Sequence, residues 1–288
     1  MKGPFNNRRF LRTRSAGSCR SAGPLLALMA LTGMLIAVLV LTAAGCGSQA
    51  EEPAPTTTVA AGATVSTQPE AFLSAADLPM TSASRLEFAA NEPGAPAPVS
   101  FNLEGPWDFS SGPAGTTLTV DFTNTGSAAA ASYFPGASIV AHYSWASSSV
   151  RDEYNFESLD NLSWKSYGVI GRGRLVRLSH PAEALIFPAR VGSNWVDSFN
   201  RNDNGLEEQI VEVNRVVAYN TLTVPAGTFK AFLLKTRVTS TTAGSSATTF
   251  DYVWLVPGVG RAAEIISQPD EKNEVFDQAY AFYRLRSY

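Results

Sequence analysis

The longest alternating stretch of the chain is Glu208-Gln-Ile-Val-Glu-Val-Asn-Arg-Val-Val-Ala-Tyr-Asn-Thr-Leu-Thr-Val224. Side chains of an extended strand alternate between two faces, so residues two apart share a face. The residues that share one face here are Val211, Val213, Val217 and Tyr219. Because β-branched and aromatic residues favour strands, the stretch predicts one long β-strand.

Turn residues stand at both ends of this strand. Asn204-Gly205 precedes it, and Asn-Gly is the strongest short signal for a two-residue hairpin. Val224-Pro-Ala-Gly-Thr-Phe229 follows it, with Pro225 at the second place of a turn and Gly227 at the fourth. That spacing favours a type I turn that ends in a left-handed glycine. The strand is therefore expected to pair with its neighbours in antiparallel hairpins.

Shorter alternating runs surround the long one and are divided by Gly, Pro, Asn and Ser. They are residues 117–122, 138–145, 152–159, 164–170, 183–187, 194–199, 232–238, 250–256 and 275–285. Hairpin-length gaps favour sequential antiparallel pairing. We therefore predict an all-β domain over residues 99–288, built as a twisted antiparallel sheet or a partial barrel.

The start of the chain is typical of an export signal. Six basic residues and no carboxylate precede an apolar run over residues 25–45, which ends at Leu41-Thr-Ala-Ala-Gly-Cys46. This stretch resembles the lipobox of bacterial lipoproteins, and the resemblance covers residues 1–46. It implies cleavage between Gly45 and Cys46 and acylation of Cys46, so that membrane lipid becomes a partner. The alternative is an uncleaved anchor, since 21 helical residues span about 31 Å. Both hypotheses place the body outside the cytoplasm, tethered to the cell membrane or envelope.

Residues 46–98 form the predicted link between anchor and body. Residues 47–70 are rich in Ala, Thr, Pro, Ser and Gln, which predicts a disordered tether. Pro69 and Pro79 frame a short helix that we expect near residues 69–77. The prolines of residues 91–98 indicate a second linker.

Charge and cysteine content exclude several classes of partner and chemistry. Residues 1–45 hold 6 of the 22 lysines and arginines and none of the 25 carboxylates, so the remaining chain has a formal charge of −9 rather than −3. An acidic body repels nucleic acid. Cys19 leaves with the signal and Cys46 is acylated, which leaves no thiol for a disulfide or a nucleophile.

A second resemblance lies in the C-terminal third. Phe187-Pro-Ala-Arg-Val-Gly-Ser-Asn-Trp195, Val224-Pro-Ala-Gly-Thr-Phe229, Tyr252-Val-Trp254 and Gly258-Val-Gly260 form a series. It is similar to a family of exported bacterial β proteins of unknown function, over residues 187–285. The resemblance implies an extracytoplasmic antiparallel β fold and carries no catalytic residues.

Residues with catalytic or metal-binding chemistry are sparse. His142 and His180 are the only histidines, and their spacing gives little indication of a metal site. Asn200-Arg-Asn-Asp-Asn-Gly205 lacks the first Asp and the twelfth Glu of a calcium loop, so a hairpin is favoured there. Carboxylates that could serve glycoside hydrolysis are interpreted as solvated strand faces; they are Asp152, Glu153, Glu157, Glu208 and Glu212. We predict no cofactor, no metal and no enzymatic activity.

The abundant aromatic residues leave two hypotheses for function. One is a non-catalytic binding or envelope-interaction module of unknown ligand or protein partner. The other is a carrier that holds a lipid or another hydrophobic ligand in a β-lined cavity, which would need a large apolar lumen. Candidate apolar binding residues are Trp195, Tyr219, Tyr252 and Trp254. A hydrolase that uses converging carboxylates ranks third.

Overall fold

The computed structural model describes residues 71–80, 84–92, 95–113, 115–124, 132–147, 152–171 and 173–288. In this part of the chain nearly all regular structure is β-strand, accompanied by a 3-10 helix at Ala75–Asp77. The strands are β1 (Arg85–Ala90), β2 (Ala97–Pro98), β3 (Trp107–Asp108), β4 (Thr116–Asn124), β5 (Ile139–Trp145), β6 (Glu153–Leu159), β7 (Ser163–Gly171), β8 (Arg174–Ile186), β9 (Asn194–Asp203), β10 (Leu206–Val224), β11 (Gly227–Thr242), β12 (Ser245–Val256), β13 (Gly260–Ser267) and β14 (Gln278–Ser287).

Twelve of the described strands close into an antiparallel barrel. From β4 to β14 each strand pairs with the next along the chain, which is the sequential pairing that the hairpin spacing predicts. Strand β1 pairs with β4 on one side and with β14 on the other, and these two ladders join the ends of the sheet. The structure confirms the predicted all-β antiparallel fold, and the barrel is closed.

The predicted β domain starts at residue 99, but the sheet begins upstream of that residue. Residues 85–90 form β1 and are needed for closure, because they bridge β4 and β14. Strand β2 adds to the edge of β14, where Ala97 pairs with Ala279. Strand β3 runs parallel to β10, and Trp107 pairs with Leu222 there. Residues 85–98 are therefore part of the folded body.

Residues 99–113 cover the outer side of the barrel wall with aromatic rings. Trp254 of β12 is fully buried, with its ring centre 5.8 Å from that of Trp107 and 4.9 Å from that of Phe109. Phe101 packs against Tyr252 at 5.0 Å. Strand β12 is thus buried on both faces, which explains why its sequence is almost continuously apolar over residues 250–256.

Residues 71–80 lie against the end of the barrel where β8 meets β9 and β12 meets β13. Of the short helix expected near residues 69–77, the described part contains the 3-10 helix Ala75–Asp77, and residues 71–74 are not helical. Leu73 exchanges both backbone hydrogen bonds with Ala189, at 2.7 and 2.9 Å, and this bridge keeps the backbone extended. Asp77 accepts hydrogen bonds from the backbone and hydroxyl of Ser74. Residues 1–70, which include the predicted signal, Gly45, Cys46 and the predicted tether, lie outside the described residues.

Both turns beside β10 contain residues with positive φ. Asn204 and Gly205 form the loop between β9 and β10 with φ values of 52° and 95°, as a two-residue hairpin requires. Pro225 and Ala226 join β10 to β11, where Gly227 has a φ of 142° and pairs with Val224. Among the described residues, no helix is long and apolar enough to span a membrane.

Candidate binding site inside the barrel

A cavity of about 120 Å³ lies inside the barrel, and we call it the polar cavity because charged side chains contribute to its mixed lining. Its lining comes from β5 to β8 on one wall and from β11 to β14 on the opposite wall. A barrel of twelve strands would be wide if it were round, so contact between opposite walls means that this barrel is flattened. The cavity occupies one part of the interior.

The part of the interior beside β1 and β4 is apolar and closely packed. Leu78 and Met80 face Leu86, Phe88 and other apolar side chains of β1 and β4 around a space of only about 20 Å³. Glu157, Trp164 and Arg261 line both this space and the polar cavity, so they form the layer between the two. Residues 71–80 therefore pack on one side of this layer, and the polar cavity lies on the other side.

Three buried carboxylates, Glu157, Asp251 and Glu264, converge on the cavity with one arginine, and the half-buried Glu153 also lines it. Glu157 Oε2 accepts a hydrogen bond from the indole Nε1 of Trp164 at 3.1 Å. Arg261 Nη1 donates to Glu264 Oε2 at 2.7 Å, and the Arg261 guanidinium lies 5.9 Å from the centre of the Trp164 ring. Asp251 lines the cavity from β12 and is 3% exposed. The cluster thus joins β6 and β7 of one wall to β12 and β13 of the other.

A β-bulge positions the arginine. Residues three apart in a regular strand point to opposite faces, so Arg261 and Glu264 would normally be separated. The β12–β13 ladder shifts register here, because Trp254 pairs with Ala263 but Leu255 pairs with Arg261. The extra residue brings Arg261 onto the inner face beside Glu264. The ion pair therefore depends on a local irregularity of the sheet.

Burial shifts the pKa of several groups in this cluster. Desolvation raises the pKa of Glu157 to about 7, although Arg261 and the Trp164 hydrogen bond oppose the shift. Desolvation, assisted by repulsion from Glu264, raises the pKa of Asp251 well above its usual value. Desolvation alone would lower the pKa of Arg261, but the surrounding acidic groups raise it. The cluster has more buried acid than cation to balance it.

Two acceptor atoms in the cavity lack hydrogen-bond partners among the described residues. They are Asp251 Oδ1 and Asn155 Oδ1. A buried polar atom without a partner costs about 1–3 kcal/mol, so proteins rarely keep one unless water or a ligand satisfies it. The cavity therefore contains acceptors suited to a molecule that donates hydrogen bonds.

Further buried carboxylates, Glu212 and Glu208, extend the polar interior along β10. Glu212 is 1% exposed, and burial together with repulsion from Asp197 and Asp251 raises its pKa well above the usual value. Asn214 accepts a hydrogen bond from Thr236 at 2.7 Å. Nearer the β9–β10 turn, Arg201 forms a buried ion pair with Glu208. The polar face of β10 is therefore turned inward.

This inward face corrects the interpretation of the carboxylates. Glu157, Glu208 and Glu212 are buried, whereas the sequence predicted solvated strand faces for them. The prediction failed because a closed barrel places one face of every strand inside, whether that face is polar or apolar. Asp152 is exposed, and Glu153 is half-buried at the cavity wall.

Asp251 and Glu264 were not predicted as site residues from the sequence, although a signal for them exists. Each is a single carboxylate within an otherwise apolar run, in Phe-Asp-Tyr-Val-Trp and Ala-Ala-Glu-Ile-Ile respectively. A charge in such a run is buried only when a partner or a polar cavity compensates it. That pattern could have predicted a polar interior.

Exchange of Glu157 for Gln is expected to stabilise the fold by about 3 kcal/mol at about pH 8.5 and to have little effect at about pH 4. The folded pKa of about 7 exceeds the unfolded value of 4.5, so the folded protein retains this proton over a range where the unfolded chain has lost it. The stability contributed by Glu157 is complete below pH 4.5 and is lost as the pH rises through 7. Gln resembles the protonated carboxyl and avoids that loss.

Denaturant unfolding of both proteins across this pH range measures the difference. The matched control is Glu104→Gln, since Glu104 is exposed, and it is expected to leave the unfolding free energy unchanged at every pH. A Glu157→Gln effect that is the same at both ends of the range would contradict the raised pKa.

The predicted apolar binding residues occupy packing positions outside this cavity lining. Trp254 and Tyr252 belong to the outer aromatic layer, which they form with the rings of residues 101, 107 and 109. The Tyr252 hydroxyl donates to the Glu274 carbonyl at 2.5 Å. Trp195 is buried and donates from its indole to the Glu183 carbonyl at 2.7 Å. Tyr219 packs on Phe232 with ring centres 4.3 Å apart. The structure thus brings Tyr252 and Trp254 together but joins none of the four to the cavity.

The two histidines lie apart, each beside an aspartate. His142 contacts Asp152 at 2.9 Å and stacks on Tyr154, while His180 contacts Asp197 at 3.2 Å. Residues 200–205 form the end of β9 and the hairpin turn. In the described part of the chain, no group of three or more His, Cys, Asp or Glu side chains is arranged to hold a metal ion.

The fold and the cavity together define the described chain as a closed antiparallel β-barrel protein with a polar interior site. No protein-family model matches the chain, and no curated protein matches it. Among solved structures it is similar to a candidate exported protein of YmcC-like fold from Bacteroides fragilis, at 11% identity and a TM-score of 0.41, covering 69% of this chain and 93% of that one. A candidate lipoprotein from Parabacteroides distasonis matches at 12% identity and a TM-score of 0.37, covering 73% and 96%.

Proposed function

We propose that this protein is a membrane-anchored extracytoplasmic lipoprotein that binds a small polar ligand inside its barrel without catalysis. The observation that carries the binding function is the internal cavity, in which Asp251 Oδ1 and Asn155 Oδ1 have no partners among the described residues. The export signal and Cys46 support the location, since acylation at Cys46 would tether the barrel to a membrane.

The size of the cavity favours this function over the two alternatives. An engineered cavity of about 150 Å³ holds one benzene molecule, so a cavity of about 120 Å³ takes a somewhat smaller group. A lipid chain needs a longer and more apolar lumen, which argues against a carrier. A sugar ring with its hydroxyls is larger than benzene, which argues against glycoside hydrolysis by the cavity carboxylates.

Native mass spectrometry of the full chain, extracted from bacterial membranes in detergent, tests both parts of the proposal. We expect the covalent mass of an acylated chain that starts at Cys46, together with a non-covalent adduct that leaves on denaturation. Cys46→Ser is expected to abolish acylation. The matched exchange Cys19→Ser should preserve it, because Cys19 lies upstream of the predicted cleavage site.

A variant that narrows the cavity tests whether the adduct is bound inside the barrel. Ala281 lines the cavity, and Ala281→Leu is expected to remove the adduct while cooperative thermal unfolding persists. An unacylated chain that starts at Met1 would contradict the lipid anchor and favour the uncleaved one. An adduct that persists in Ala281→Leu would contradict the cavity as the binding site.

A further inference from the structure

We propose that the cavity binds a small protonated amine, whose N–H groups donate hydrogen bonds to Asp251 Oδ1 and Asn155 Oδ1. This inference rests on the proposed binding function and names the chemical class of the ligand. It is supported independently by the charge balance of the cavity, by its unpartnered acceptors and by its aromatic walls.

The charge balance favours a cation. Glu157, Asp251 and Glu264 line the cavity, and Arg261 is the one lysine or arginine in its described lining. Arg261 is hydrogen-bonded to Glu264, which leaves Asp251 without a hydrogen-bonded cation among the described residues. Burial of Asp251, which is 3% exposed, raises the pKa of its carboxyl, and a positive charge beside it would favour the ionised form that burial opposes. A cationic ligand would supply that charge.

The unpartnered atoms favour a cation that donates hydrogen bonds. A carboxylate oxygen and a carboxamide oxygen are both acceptors, so each needs an N–H or O–H group. A protonated primary amine has three N–H donors and can satisfy both atoms. A quaternary ammonium group has the charge but no donor, and it would leave both oxygens unsatisfied.

The remaining lining suits an organic cation in preference to a metal ion. The rings of Tyr143, Trp145 and Trp164 line the cavity, and aromatic faces attract cations. Arg261 already uses the Trp164 ring in this way, at 5.9 Å. The cavity carboxylates do not form a metal-ligand set, since the described residues contain no cluster of three or more side chains placed to share an ion. The volume of about 120 Å³ accommodates a short alkylamine.

Isothermal titration of the full chain in detergent with three probes of equal non-hydrogen atom count tests the inference. The probes are n-butylammonium, tetramethylammonium and the neutral n-butanol. We expect n-butylammonium to bind at least about tenfold more tightly than either of the others, because only it combines charge with donors. Equal binding of n-butanol would overturn the requirement for a cation, and equal binding of tetramethylammonium would overturn the requirement for donors.

Variants at the two acceptors locate the binding. Asp251→Asn is expected to weaken n-butylammonium binding at least about tenfold, whereas Asp277→Asn, the same exchange at an exposed site, should leave it unchanged. If Asp251→Asn does not fold, Asn155→Ala serves as the second variant and is expected to weaken binding as well. Full affinity in a folded Asp251→Asn or Asn155→Ala protein would overturn the proposal.

Failure of this inference is distinguishable from failure of the binding function. Tight binding of n-butanol, or a neutral adduct in native mass spectrometry, would preserve a binding module but exclude the amine. Lack of binding for all three probes, together with no adduct on the extracted protein, would contradict both, and the cavity would then hold water only.

Discussion

Replacement of Arg261 by Met is expected to destabilise the folded protein by about 3–5 kcal/mol at about pH 8, which is the usual effect of removing one partner of a buried ion pair. Arg261 hydrogen-bonds to Glu264, and its charge lowers the pKa of both Glu157 and Asp251. Met has a similar length and no charge, so the carboxylates would lose their buried counter-charge while the packing volume is largely kept. This is among the largest single-residue effects that we expect.

The loss of stability should depend on pH in a defined direction. Without Arg261 the folded pKa values of Glu157 and Asp251 rise further above their unfolded values of 4.5 and 3.8. A carboxyl with a raised folded pKa contributes its stability below the unfolded pKa and loses it as the pH rises through the folded pKa. The defect of Arg261→Met is therefore expected to be smallest at about pH 4 and largest above about pH 8.

Urea unfolding of wild type and variant at these two pH values measures the effect. Arg286→Met is the matched control, because Arg286 lies on β14 with a half-exposed side chain and is 3.9 Å from Glu87. Its effect should stay within about 0.5 kcal/mol. The double variant Arg261→Met/Glu264→Gln should recover part of the lost stability. An equal loss at both pH values would show that Arg261 acts through packing and not through charge.

Replacement of Trp254 by Ala is expected to cost about 3–5 kcal/mol of unfolding free energy, or to prevent folding altogether. The ring is fully buried between β12 and residues 101–109, and it contacts Phe101, Trp107 and Phe109. Its removal would leave a large cavity at the centre of the outer aromatic layer. That layer attaches residues 99–113 to the barrel wall, so the damage should extend to this segment.

Near-UV circular dichroism and denaturant unfolding test this second prediction. Trp254→Phe keeps an aromatic ring and is expected to fold with a smaller loss, which makes the test informative even if the alanine variant is unfolded. Phe72→Ala is the control, because Phe72 is 61% exposed and its removal should change stability by less than about 0.5 kcal/mol. Wild-type stability in Trp254→Ala would show that the outer layer is not part of the core.

Local rules were sufficient for most of the strands and for their sequential order, but not for β1 and β13, which lie outside the predicted runs. The alternation within residues 208–224 and the turns at Asn204-Gly205 and Pro225-Ala226 indicate antiparallel hairpins, and the structure contains them. These features depend on backbone geometry and on residues that are close in sequence, so they can be inferred from the sequence alone. The helix expected near residues 69–77 is limited to Ala75–Asp77, because a distant partner, Ala189, takes both backbone hydrogen bonds of Leu73.

Closure of the barrel could not be predicted from local pattern. It requires Phe88 of β1 to pair with Leu285 of β14, almost two hundred residues later. The same closure decides which face of each strand is inside. On β10 the carboxylate Glu212 points inward, although the valines of the other face make the stronger sequence pattern. Alternation identifies two faces, but only the assembled ring determines which of them is buried.

The sequence by itself determined the all-β class, the antiparallel order of the hairpins and the likeness of residues 1–46 to a lipoprotein signal, because each depends on residues close together in the chain. Only the tertiary structure decided the site. Glu157, Asp251 and Arg261 meet across the flattened barrel, and a bulge in β13 turns Arg261 inward. Their shifted pKa values arise from burial among strands that are distant in sequence, and burial is a property of the folded ring.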